Sequence, residues 1–96
     1  MDLNAVSQVL QTHQTDLLHF AVKSIAVFGS VARDEAKESS DIDLLVEFNR
    51  PIGLFEFIRL KYYLEVLTGS QVDLVTPDAL RPELRESILS EAVYVA

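Results

Sequence analysis

No cysteine occurs in the 96 residues. Disulfides and thiolate metal sites are therefore excluded, and folding without them suits a reducing compartment. Cations are scarce as well: eight lysines and arginines stand against fifteen aspartates and glutamates, for a formal charge of −7. They are scattered along the chain at Lys23, Arg33, Lys37, Arg50, Arg59, Lys61, Arg81 and Arg85. Nucleic-acid affinity rests on grouped cations that displace counterions from phosphates, so direct binding to nucleic acid is disfavoured. An acidic surface suits solubility or a basic protein partner. No stretch approaches the roughly 20 apolar residues that a membrane span needs, and MDLNAVSQVLQTHQTDLL lacks a basic lead followed by an apolar segment. A cytoplasmic, membrane-free chain with one domain over residues 1–96 is the expectation.

What is present alternates between two periods. Leu3, Val6, Val9, Leu10, His13, Leu17 and Phe20 recur at helical spacing, which predicts one amphipathic helix over 3–20. His13 and His19 lie in it without a second ligand-type neighbour at metal spacing, and read as surface or core-edge residues. SIAVF (24–28) is a buried strand ending at Gly29. VARDEAKE can form a short helix with Ser30 as its N-cap. DIDLLVEF (41–48) is a second strand, and Leu54 to Leu67 a helix stopped by Gly69. QVDLVT (71–76) is a third strand. PELRESILSEA (82–92) is a helix opened by Pro82 with Leu84, Ile88 and Leu89 facing inward, and the tail AVYVA has the composition of a short edge strand. The order α-β-α-β-α-β-α describes a small α/β fold with a short mixed sheet packed against helices.

Side chains alternate across a strand, so Asp41 and Asp43 project to one face about 6.6–6.8 Å apart, opposite Ile42, Leu44 and Val46. In VDLV, Asp73 likewise opposes Val72 and Leu74. An aspartate inside so apolar a strand is unfavourable by propensity and costly to bury unpaired. If the second and third strands are neighbours, the three acids form one cluster of hard oxygen ligands suited to Mg²⁺ or Mn²⁺. Two such ions about 3.5–4 Å apart can clamp the attacking and leaving oxygens of a phosphoryl or nucleotidyl displacement. Gly29 lets a phosphate approach the backbone closely, and the Ser30 hydroxyl can bond a phosphate oxygen at the start of the following helix. Arg33 stands either as a further phosphate contact or as a surface arginine paired with Asp34 or Glu38. Gly69-Ser70 repeats the dipeptide without a following D-x-D, and reads as a helix-ending turn. Lys61, Tyr62 and Tyr63 read as helix surface and core packing.

Gly29-Ser30, ten intervening residues and then Asp-Ile-Asp resemble the signature of the DNA polymerase β-type nucleotidyltransferase superfamily. The longer run GSVARDEAKESSDIDLLVEF, followed by RLKYYLEVLTGSQVDLVTPDALRPELRESIL, resembles the minimal nucleotidyltransferase (MNT) domain proteins, antitoxins encoded beside HEPN-domain toxins. Asp34 departs from the glycine that the family commonly carries after the arginine, which bears on turn geometry and leaves every candidate ligand in place. The resemblance implies a metal-dependent protein adenylyltransferase. Asp41 and Asp43 would bind both Mg²⁺ ions, Asp73 would complete the catalytic metal site and help deprotonate the acceptor, and Gly29 and Ser30 would hold the triphosphate of ATP. It further implies that AMP is transferred to a tyrosine hydroxyl of a partner HEPN ribonuclease, in a hetero-oligomer with that toxin. A binding-only antitoxin that masks the toxin, and a small-molecule nucleotidyltransferase, are the other readings; the lack of an acceptor-holding second domain disfavours the latter.

Overall fold

The computed structural model describes residues 1–37 and 40–96. The expected N-terminal helix is two: α1 (Leu3–Thr12) and α2 (Gln14–His19) meet at His13. The cause is local. The His13 N–H turns back to Leu10 O at 3.2 Å and its imidazole Nδ1 bonds Val9 O at 2.8 Å. Carbonyls at the end of α1 are thus satisfied without continuing the helix. Asp2 caps the start of α1 by accepting from the Ala5 N–H at 2.8 Å.

The sheet comprises β1 (Val22–Phe28), β2 (Ile42–Phe48), β3 (Val72–Val75) and β4 (Val93–Tyr94), in the order β3-β2-β1-β4. β1 runs antiparallel to β2 and β4, whereas β2 and β3 are parallel. A parallel pair needs a crossover, supplied here by α4 (Leu54–Thr68). The apolar tail expected at the edge is β4, paired with β1 through Ala26↔Tyr94 and Val27↔Val93. β1 starts two residues before the expected Ser24, and β2 starts at Ile42, leaving Asp41 just outside the ladder.

Alternation divides the sheet into two unequal faces. Ile42, Leu44 and Val46 point with Ile25, Val27, Val72 and Leu74 into the main core, where Val6 and Leu10 of α1 and Leu60 and Leu64 of α4 meet them. The opposite face carries only Ala26, Phe28 and Leu45 as buried residues, covered by Leu80, Val75 and the helix α5 (Pro82–Glu91) through Ile88 and the adjoining Ala92. Leu84 and Leu89, expected to face inward, are exposed, and no residue of α5 is fully buried. So small an apolar platform has room for one turn of the helix and no more. Tyr62 lies on the surface of α4, together with exposed Phe55 and Val66. Tyr63 packs on Phe20 and donates to Asp16 Oδ2 at 2.5 Å, and burial followed by that bond pushes its phenol up to about 12. Among the described residues, no helix is long and apolar enough to cross a membrane.

Candidate active site

β1 delivers the chain to Gly29, the first residue of the four-residue helix α3 (Gly29–Ala32). Gly29 is buried with φ +69°, in the left-handed region that L side chains avoid. A Cβ there would lie 2.1 Å from Asp43 Oδ2. Glycine is therefore required twice over, by the turn and by the carboxylate packed against it. Phe28, not Ser30, occupies the N-cap position; Ser30 falls inside the helix because the turn begins one residue earlier than its side chain suggests. Ser30 Oγ makes no hydrogen bond with a described residue, while Ser30 O accepts from the Glu35 N–H at 2.8 Å and closes the turn. Asp34, at the position where the resemblance led to an expectation of glycine, adopts φ +58°. Aspartate tolerates that region better than most residues, so the turn survives the substitution.

The parallel register places Asp43 directly beside Asp73, in the ladder Ile42↔Val72, Asp43↔Asp73, Leu44↔Leu74. Neighbouring strands lie about 4.8 Å apart, so the two carboxylates are close. Burial is the first cause raising the Asp43 carboxyl above its ordinary value, followed by the charges of Asp73 and Asp41; Arg33 opposes them. Asp73 itself is exposed, as is Asp41. The desolvation argument for a partner at Asp73 thus loses its force, and proximity to Asp43 takes its place. Among the described residues, no three acidic, imidazole or thiol side chains converge tightly enough to hold an ion as they stand. The chemistry of Asp43 and Asp73 matches hard cations in donor type, and Asp41 lies one residue outside the strand.

Arg33 does not pair with Asp34, one of the two acids expected of it. It bonds Glu35 at 3.2 Å and Glu91 at 3.1 Å; Glu38, the other expected acid, lies outside the described residues. Sequence reasoning missed Glu91, whose Oε1 also accepts from the Gly29 N–H at 3.0 Å. The one signal was an acid on the last residue of a helix, where the dipole disfavours it. A cleft of 630 Å³ opens next to Asp41 and Asp73 between α4 and β3, lined also by Lys61, Glu65 and Gly69-Ser70. Gly69 ends α4 in the left-handed conformation, as expected, yet its turn forms part of the cleft wall. Glu65 accepts from the Val72 N–H at 3.0 Å and so anchors the start of the strand that carries Asp73.

Residues 6–95 match the nucleotidyltransferase domain family. The chain belongs to that family. Within it, the chain is 43% identical over 96 residues to the protein adenylyltransferase MntA of Thermococcus cleftensis, covering 99% of this chain and 97% of the relative. A solved structure described as a minimal nucleotidyltransferase superposes with a TM-score of 0.82 at 42% identity, over 97% of this chain and 95% of the other. The same minimal fold recurs at 20% identity in a toxin-antitoxin structure with AMP-PNP, TM-score 0.70, over 100% of this chain and 73% of the other. It recurs at 18% identity in the MNT antitoxin bound to a tri-AMPylated HEPN toxin from Shewanella oneidensis, TM-score 0.59, over 90% of this chain and 71% of the other.

Two outcomes are expected from the site geometry. Gly69 shares the positive φ but has open space where a Cβ would go. Gly69→Ala should therefore lose only the left-handed strain, about 1–2 kcal/mol, whereas Gly29→Ala should lose measurably more in denaturant unfolding because Asp43 must move. Equal losses would show that the Asp43 contact carries no weight. Because the folded-state value of Asp43 is raised, its stabilising contribution is complete below the ordinary carboxylate range and lost as pH rises through the raised value. Ionised Asp43 thus burdens the fold at neutral pH. Asp43→Asn should melt higher than the wild type in divalent-free buffer at pH 7, by about 4–8 °C for each kcal/mol relieved, with the gap closing toward acid pH. A lower melting temperature for the variant would contradict the repulsion.

Proposed function

We propose that the chain is a metal-dependent protein adenylyltransferase, carried on one domain, that neutralises a HEPN ribonuclease toxin by moving AMP from ATP to a tyrosine hydroxyl of that partner. The observation carrying this reading is the Asp43↔Asp73 register pair against the Gly29 turn, which sets two acids beside backbone able to approach a phosphate. The protein adenylyltransferase relative at 43% identity supports the activity. The toxin-antitoxin structures that share the fold supply the class of partner and the form of the product.

In this reading the tyrosine oxygen attacks the α-phosphorus of ATP, a new O–P bond forms, the bond to the bridging oxygen breaks and pyrophosphate leaves. Asp41 and Asp43 would hold Mg²⁺ (or Mn²⁺), with Asp73 completing the set. The ions, when bound, neutralise charge on the phosphates and lower the barrier to displacement. Asp73, which is exposed and lines the cleft, would take the proton of the incoming hydroxyl. Gly29 and Ser30 grip the triphosphate through backbone and hydroxyl, and Arg33 adds a positive charge on the same side. Catalysis comes chiefly from positioning and charge stabilisation.

Incubation with α-labelled ATP, Mg²⁺ and the HEPN protein encoded beside this chain tests the reading. Label should pass to the partner, and vanish when the acceptor tyrosine is phenylalanine. Asp73→Asn should lower the rate about 10²-fold or more, the scale of a lost general base. No label on the partner with the native chain, or equal labelling by Asp43→Asn, would sink the enzymatic reading; protection of RNA by the complex without ATP would support masking.

A further inference from the structure

One carboxylate ties the nucleotide turn to a helix 62 residues away in the chain. Glu91 Oε1 accepts from the Gly29 N–H at 3.0 Å, and Arg33 Nη1 donates to its two oxygens at 3.2 and 3.1 Å. The Gly29 N–H has no partner within its own short helix, so Glu91 satisfies a donor that would otherwise be orphaned. Glu91 is also the last residue of α5, where the helix dipole disfavours an acid. Its position is explained by the contacts it makes across the fold, not by the helix it ends. α5 buries little apolar surface, and these bonds add to the packing of Ile88 and Ala92, the Arg85 Nη1 bond to Pro77 O at 3.3 Å and the pairing of β4 that follows the helix.

The arrangement also orients Arg33. Glu35 takes its Nε at 3.2 Å and Glu91 takes its Nη1, while no described residue accepts from Nη2. Two carboxylates therefore grip adjoining donors of the guanidinium fork and leave the rest of it to turn outward. A pair as exposed as Arg33 and Glu35 alone would hold little. The Glu91 side chain is 26% exposed and shares its charge with a backbone N–H, a more constrained grip.

We propose that Glu91 is a positioning residue of the nucleotidyl-transfer site: it fixes the Gly29 peptide and the Arg33 guanidinium so that the fork presents its remaining donors to the triphosphate of ATP. The role rests on the nucleotidyltransferase reading of the site. Glu91 touches neither substrate nor reacting atoms and acts through its two partners. Loss of the carboxylate leaves Arg33 free to swing with Glu35 and removes the lock on the turn that packs against Asp43.

Calorimetric binding of AMP-PNP with Mg²⁺ tests this on the full chain, with the melting temperature recorded for every variant. Glu91→Ala should weaken binding about tenfold, the loss expected when a charge-assisted hydrogen bond to a phosphate is misdirected. Glu91→Gln, whose amide oxygen can still accept from the Gly29 N–H, should recover most of the affinity. A Glu91→Ala, Arg33→Gln double variant should lose less than the sum of the two single losses, because part of the Glu91 effect runs through Arg33 and the rest through the Gly29 N–H. If Glu91→Ala does not fold, Glu91→Asp takes its place, since shortening the side chain withdraws the carboxylate from Gly29 and should give the same loss. Unchanged affinity, tighter binding, or a fully additive loss in the double variant would overturn the role. Failure of the wild type itself to bind AMP-PNP would instead overturn the nucleotidyltransferase reading beneath it.

Discussion

The carboxylate of Asp43 occupies the space where any side chain at residue 29 would have to go. Much of the site depends on that one contact. It demands glycine at the end of β1, the glycine permits the left-handed turn into α3, and the turn brings Ser30 and Arg33 to the same edge as the acids. The contact also partly desolvates Asp43 beside Asp73, so that the pair resists carrying two charges unless a cation lies near. A steric fit and an electrostatic tension thus reside in one side chain.

The sheet makes this tension tolerable by treating its faces unequally. Ile42, Leu44 and Val46 are essentially fully buried, and they hold β2 in register whatever its other face carries. On that other face, burial is confined to Ala26, Phe28 and Leu45, under one turn of α5. Beyond them Asp41 and Asp73 meet solvent, where unpaired carboxylates cost little, and only Asp43 of the three is half-buried. Stability and chemistry are separated by the period-two alternation of the strand. Polar contacts at Glu91 and Arg85 add to the thin apolar cover of α5, and the pairing of β4 with β1 holds the chain that follows it.

What could be read from the sequence followed from local periodicity. The core face of β2, the α4 boundaries with Gly69 as stop, and the Pro82 helix start all depend on residues near one another in the chain. The Asp43↔Asp73 pairing was anticipated only conditionally, since which strands are neighbours is decided by the α4 crossover. Asp73 was singled out for the cost of burying it, yet it is exposed; its place beside Asp43 is what gives it meaning. His13 broke a helix whose apolar pattern ran on, because its own hydrogen bonds outweighed the periodicity. Leu84 and Leu89 had helical spacing but no surface large enough to receive them. Glu91 offered only its unfavourable place at a helix end, since its partners Gly29 and Arg33 are far away in the chain and nothing between announces them.

The proposed role of Asp43 and Asp73 is to hold a cation together beside the Gly29 turn. Titration of Mn²⁺ in the presence of saturating AMP-PNP, followed by electron paramagnetic resonance, addresses it most directly. The expected result is uptake of Mn²⁺ by the wild type that is weakened in both Asp43→Asn and Asp73→Asn. Uptake indifferent to either substitution in folded protein would contradict it.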